Sequence, residues 1–354
     1  MGARRWDWRG LAGMLGRLSG GRVEYAGGQT LFALFARAVA QHRARHLFDD
    51  TLRAQTIGGL DGTTGSVMAD IKTRLRAYWT LIKSLQTGLL LITGLAAYLS
   101  ARCPVTTWET LLAVAGSLFL AISGSTVLNM VYDRDIDAKM QRACHRPLPS
   151  GRVTVREALI LGLTLSIAGV GWALWLSPLY GAVVFAGLFC DVVVYTIWLK
   201  RRTPYSIILG GLSGGMPALA GRALAVNEID AIGLLLALAV LLWIPTHIMT
   251  YNIKYADDYR RARVPTFPAA YGIRATRAII TLSSVGAAIA VTLAALNVGM
   301  DWGYLRLLGV LTGGLLVLAI ASMWRPSERL NFGLFKYASV YMLSSMLLLA
   351  ARAF

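Results

Sequence analysis

Acidic residues are scarce in this sequence: 354 residues include only 18 Asp and Glu, alongside four His and three Cys. Charged side chains of both signs make up 15%, where soluble globular chains carry about a quarter. So little charge excludes a disordered chain, and 36 glycines are too few for a collagenous one. Cys103, Cys144 and Cys190 lie far apart, with no C-x-x-C and no histidine at zinc-ligand spacing, so neither a disulfide framework nor structural zinc is indicated. There is no G-x-S-x-G, no Walker lysine loop and no Rossmann glycine fingerprint in a strand–turn–helix context. No internal repeat or low-complexity tract is present. The N-terminal stretch has no apolar run followed by a small-residue cleavage site, so a secretory signal is not expected.

What is present is oil. Hydrophobic residues are 56% of the chain, and the mean hydropathy is +0.57. They fall in runs near 79–101, 109–128, 157–176, 179–199, 205–225, 231–251, 276–297, 303–324 and 332–351. Each run holds about 20 residues, enough to cross a hydrocarbon core of roughly 30 Å at 1.5 Å per residue. The expectation is an all-α polytopic membrane protein of nine transmembrane helices in a lipid bilayer. Residues 78–354 form the membrane domain. Residues 1–77 form a basic N-terminal extension in which 30–48 reads as an amphipathic interfacial helix.

The formal charge of +17 alone is compatible with nucleic acid, a membrane surface or an anionic substrate. Its placement decides. Eighteen Lys and Arg lie in the connections after spans 2, 4, 6 and 8, against Arg102 in the alternate ones, and twelve more precede span 1. The positive-inside rule places the N-terminus and those four connections on the cytoplasmic side. Nucleic acid is therefore not an expected partner. The membrane is a prokaryotic plasma membrane, or alternatively a mitochondrial inner membrane.

Five of the few acids cluster on cytoplasmic connections. Asn129, Asp133 and Asp137 are spaced i, i+4, i+8 at the end of span 2. On a helix they drift by about 80° round the axis over about 12 Å, so one face presents an amide and two carboxylates. Asp135 points away, towards a basic neighbour or water. Gathered carboxylates repel unless a cation joins them, and Mg²⁺ fits, since it takes oxygen ligands and substrate phosphates. Asp257 and Asp258 follow span 6 beside Lys254, Arg260, Arg261 and Arg263. Acids that hold a metal beside bases that hold phosphate suit a diphosphate leaving group. Lys200 and Arg201, on the same side, are further candidates. Surface ion pairing is the alternative for each cluster, and an intramembrane ion pathway is the alternative for the whole. The glycines of GGLSGG (210–215) lie inside an apolar span, where they read as close helix packing or as backbone widened beside a ligand.

These residues resemble a known family. Asn129-x-x-Tyr132-Asp133-x-x-x-Asp137 is similar to the first aspartate-rich motif of the UbiA superfamily of intramembrane prenyltransferases. The longer string NMVYDRDIDAKMQRACHRPLPSGRV (129–153) resembles its protoheme IX farnesyltransferase branch. So do YTIWLKRRTPYSIILGGLSGGMPALAG (195–221) and KYADDYRRARVPTFPAAYG (254–272). The branch usually enters its second loop with Pro-Pro-His-Phe-Trp, whereas this chain has Pro245-Thr246-His247-Ile248-Met249 and lacks those two aromatics. Adjacent Asp257 and Asp258 also stand where other members carry D-x-x-x-D.

The resemblance implies Mg²⁺-dependent prenyl transfer from an isoprenyl diphosphate. Asn129, Asp133, Asp137, Asp257 and Asp258 would be the catalytic and metal-holding residues. Arg142, Arg146, Tyr195, Lys200, Arg201 and Lys254 would bind the diphosphate, and His247 would lie near the acceptor. In that branch farnesyl diphosphate and haem B give haem O; another hydrophobic acceptor, a quinone precursor or a lipid, is the alternative.

Overall fold

The computed structural model describes residues 62–101 and 107–351, and every regular element among them is helical. The interfacial helix expected over 30–48, with His42 and His46, lies outside the described residues, as do Arg102 and Cys103. Helices α1 (Gly62–Leu81) and α2 (Ser84–Leu99) come first; Ile71–Leu81 and Ser84–Leu99 meet at a bend of 51° and together are long and apolar enough for one span. Then follow α3 (Trp108–Asp137), α4 (Val155–Leu176) and α5 (Pro178–Phe189), which runs into a π-helical segment, Cys190–Leu199. After them come α6 (Ser206–Val226), α7 (Ala231–Lys254) and the short α8 (Ala256–Arg261). The last three are α9 (Phe267–Val298), α10 (Trp302–Trp324) and α11 (Glu328–Ala351). Among the described residues eight helices are long and apolar enough to span a membrane, and the bent α1–α2 pair makes nine.

Local chemistry sets the boundaries. The Thr154 side chain and Glu157 form a reciprocal capping box at the start of α4. Thr107, Ser177 and Asp230 cap α3, α5 and α7 through side-chain oxygens. Pro178 opens α5 in its first turn, and Gly299, at φ 72°, closes α9 in the left-handed conformation that glycine adopts without a Cβ penalty.

Long helices in sequence order pack on one another, and α11 closes the ring onto α2. Within the ring α6 reaches across to α2. A Cβ at Gly221 would overlap the Gly94 carbonyl, so glycine at that crossing is what lets two backbones meet. Arg222 nearby is buried and paired to Asp230 at 2.8 Å, with Ser100 Oγ at 3.2 Å from its second nitrogen. The lipid-facing surface carries exposed tryptophans at helix ends: Trp108, Trp175, Trp302 and Trp324. Trp prefers this interfacial depth, with its apolar ring in lipid and its N–H near water.

Two placements matter for the site. Helix α3 does not stop at residue 128, where its apolar run ends, but continues through Asp137. It therefore carries Asn129, Asp133 and Asp137 on one unbroken helix. The connections after α3, the π-helical segment and α7 also meet at one end of the bundle, as the shared charge bias predicts.

Candidate active site

The first acidic motif is gripped by bases. Asp133 and Asp137 are each 5% exposed, on a helix end that faces into the bundle. The Lys200 ammonium pairs with Asp133 Oδ2, and Arg146 Nη1 donates to Asp137 Oδ2 at 2.6 Å. Burial opposes the charge on Lys200, but Tyr195 and Asp133 beside it hold its pKa above that of free lysine. Asp133 Oδ1 is buried without a hydrogen-bond partner. A buried carboxylate oxygen left unpaired is costly unless a cation or donor takes it up. With Asn129 and Asp137 on the same face, this all-oxygen set fits Mg²⁺.

Asp135 does point away, as the helical spacing predicts. It makes a bidentate pair with Arg201, at 2.8 and 2.6 Å, and Arg201 also donates to the Tyr132 carbonyl at 2.7 Å. The structure thus ties Arg201 to the outer face of α3 and does not bring it to the buried acids.

The second acidic pair divides. The Asp257 side chain is 77% exposed and pairs with Arg260 at 3.1 Å, so it lies on the surface and not with the first motif. Asp258 is buried and accepts from the backbone N–H groups of Gln141 and Arg142 at 3.2 and 3.3 Å, and from Arg261. Burial pushes its pKa up, but Arg261 and these amides outweigh that and hold it below the ordinary aspartate value. Asp258 therefore clasps the loop after α3 to the loop after α7. Ile136, Met140 and Ala143 pack on Ala262 and Val264 behind it. Arg142 lies among three tyrosines at successive turns, 5.0 Å from the ring centre of Tyr251, 5.6 Å from Tyr255 and 5.1 Å from Tyr259. Lys254 is exposed, its ammonium 3.7 Å from the ring centre of Phe332.

From this charged end a cavity of about 530 Å³ runs into the bundle. Lys83, Ser125, Asn129, Asp191 and Tyr195 give it a polar wall from the α1–α2 bend, α3 and the π-helical segment, and Trp243, His247 and Phe335 an aromatic wall from α7 and α11. Leu89, Leu118, Ile207 and Leu343 are among its apolar lining residues. Gly210, Gly211 and Gly214 line it too, and they pack against Tyr195, Leu241 and Ile244, as the close-packing reading of the glycine-rich span expects. A Cβ at Gly210 would overlap the Tyr195 ring. His247 is stacked between Trp243 and Phe335, with centroids at 4.8 and 4.5 Å, and its Nδ1 lies 3.1 Å from Ser339 Oγ. Although no aromatics follow His247 directly, its ring is flanked by one from one turn earlier on α7 and one from α11.

Two cavity residues escaped the sequence reading. Lys83 sits at the α1–α2 bend with φ 48° and ψ 57°, a left-handed conformation that costs a non-glycine residue roughly 1–2 kcal/mol. It lies within electrostatic reach of Asp133, Asp137, Arg146 and Lys200. Asp191, on the π-helical segment, accepts from Ser125 and from Asn129. A signal for both was available: each is an ionisable residue inside a run of membrane-crossing length, where charge is functional by default.

Residues 90–343 match the model of the UbiA prenyltransferase family. The chain belongs to that family. Curated relatives include the protoheme IX farnesyltransferase of Korarchaeum cryptofilum, 44% identical over 214 residues, which are 60% of this chain and 72% of that protein. The protoheme IX farnesyltransferase of Desulforudis audaxviator is 37% identical over 287 residues, 79% of this chain and 89% of that one. Among solved structures, a digeranylgeranylglyceryl phosphate synthase superimposes with a TM-score of 0.66 at 20% identity, covering 79% of this chain and 99% of the other. A UbiA homologue from Archaeoglobus fulgidus bound to GPP and Mg²⁺ gives 0.57 at 14% identity, covering 78% and 99%. At such identities these two establish the UbiA fold and nothing finer.

Proposed function

We propose that this UbiA-family prenyltransferase transfers the farnesyl group of farnesyl diphosphate to a vinyl group of haem B, giving haem O, in a prokaryotic plasma membrane. The observation that carries this reading is one cavity with two chemically distinct walls, polar from α3 and the π-helical segment and aromatic from α7 and α11. Acids and bases at the cytoplasmic end suit a diphosphate with Mg²⁺. The stack of Trp243, His247 and Phe335 lines the same cavity and gives a hydrophobic acceptor an aromatic wall to pack on. The protoheme IX farnesyltransferase relatives make haem B the acceptor of choice.

Asn129, Asp133 and Asp137 would hold Mg²⁺, which when bound neutralises and orients the diphosphate oxygens. Lys200 and Arg146, already seated on the two acids, and Lys83 on the polar wall direct positive charge at the departing oxygens. Asp257 and Asp258 would join them only by leaving Arg260 and the interloop clasp. The C1–O bond of the allylic diphosphate breaks with its electron pair on the diphosphate. The vinyl π pair of haem B then forms the new bond to C1. Positive charge left beside the porphyrin ring is captured by water, which loses a proton to solvent and leaves a hydroxyl. The apolar lining of the cavity keeps water from the farnesyl cation until the acceptor reaches it. Arg142, caged by tyrosines, fixes the loop that carries Arg146.

Expression in a host that lacks haem O synthesis tests this reading. Mass spectrometry of extracted pigments should show haem O. Recovery of haem B alone, with the protein present in the membrane, would refute the acceptor assignment.

A further inference from the structure

Asp191 has no part in the transfer as set out above, yet it is an ionisable side chain on a membrane span and lines the cavity. Asn129 Nδ2 donates to Asp191 Oδ2 at 2.7 Å, and Ser125 Oγ donates to the same oxygen. At the other end of the Asn129 amide, Thr196 Oγ1 donates to Oδ1 at 2.9 Å. Both ends of one amide are therefore held from one short segment.

The winding of that segment makes this possible. Asp191 and Thr196 are five residues apart. In an α-helix five residues turn through about 500°, which leaves two side chains about 140° apart round the axis and unable to meet one partner. Cys190–Leu199 is wound as a π-helix, whose hydrogen bonds run from residue i to i+5 and whose wider turn of about 4.4 residues brings side chains five apart to within about 50° round the axis. The Lys200 N–H, which donates to the Tyr195 carbonyl at 2.8 Å, continues the same pattern. Its ammonium lies 5.6 Å from the Tyr195 ring centre. One wide turn thus aligns two rows against α3: Asp191 with Thr196 on Asn129, and Tyr195 with Lys200 beside Asp133.

We infer that Asp191 is a positioning residue for Asn129, and that the π-helical segment exists to present it together with Thr196. By taking the amide hydrogens, Asp191 forces Oδ1 to the opposite side. Thr196 occupies one lone pair of Oδ1, and the other stays free for a cation. The negative charge on Asp191 also polarises the amide and strengthens Oδ1 as an oxygen ligand, as outer partners of metal-holding groups do. This inference rests on the reading that Asn129 serves the Mg²⁺–diphosphate.

The test is Mn²⁺ binding, followed by electron paramagnetic resonance, on purified protein with a non-ionising farnesyl thiodiphosphate. Asp191→Asn keeps the shape of the side chain but cannot serve as an anionic acceptor. It should weaken Mn²⁺ binding about tenfold or more. Thr196→Val should weaken it in the same direction, and Thr196→Ser should restore it, since only the hydroxyl is needed. Adding Asp191→Asn to Asn129→Ala should bring no further loss, because the coupling runs through the amide. Wild-type binding in Asp191→Asn, or effects that multiply in the double variant, would overturn the inference. Asp133→Ala separates the two ideas. If it loses Mn²⁺ while Asp191→Asn binds normally, the site reading stands and this inference falls. If Asp133→Ala binds as wild type, the site reading itself falls and takes the inference with it.

Discussion

Asp133→Ala slows farnesyl transfer by about 10³-fold or more, equivalent to about 4 kcal/mol of lost transition-state stabilisation. The magnitude follows from what converges on this side chain. One oxygen holds the Lys200 ammonium, and the other is buried and unpaired, ready for a cation. Its removal takes away a cation ligand and leaves a partly buried lysine without its counter-charge. Asp133→Asn should cost nearly as much, because it preserves shape but not charge. Initial rates at saturating farnesyl diphosphate and haem B measure the effect, with thermal unfolding in detergent as the check on folding. Asp135→Ala is the contrasting case. Its carboxylate pairs with Arg201 on the outer face, so its rate should stay near that of the wild type.

The second large effect belongs to Lys200. Lys200→Met keeps the length and the apolar stem but deletes the charge aimed at the leaving group. The rate should fall by about 10²–10³-fold, as when one well-placed donor is lost from a developing oxyanion. Because the diphosphate gains charge as the C–O bond breaks, the loss should fall mainly on kcat and less on the KM for farnesyl diphosphate. Arg201→Met, one residue along, should change the rate little, since Arg201 is occupied by Asp135 and the Tyr132 carbonyl. Equal losses at 200 and 201 would contradict the geometry and place both bases on the diphosphate.

The helices and the charged end were legible because they depend on local pattern. Apolar runs of about 20 residues give spans, and the i, i+4, i+8 spacing puts Asn129, Asp133 and Asp137 on one face. The outward turn of Asp135 was readable for the same reason. Partners set by tertiary packing were not readable. Arg201 and Lys200 are neighbours in sequence, yet one pairs with Asp135 and the other with Asp133. Asp257 and Asp258 are adjacent, yet one is solvated and the other ties two loops together. The sequence shows two aromatics missing directly after His247 but not that Trp243 and Phe335 stack on its imidazole from one turn earlier and from another helix. Helical periodicity also failed at Cys190–Leu199. There the wider π winding changes which residues share a face, and no α-helical template anticipates Asp191 and Thr196 on one amide.

The central claim is that one cavity brings a polar, diphosphate-binding wall against an aromatic wall that takes haem B as acceptor. The most direct measurement offers purified protein in lipid nanodiscs farnesyl diphosphate, Mg²⁺ and an equimolar mixture of haem B and an aromatic quinone precursor, with products resolved by mass. The account predicts haem O as the farnesylated product, and none when Mg²⁺ is chelated. Farnesylation of the quinone precursor with haem B left intact would contradict it.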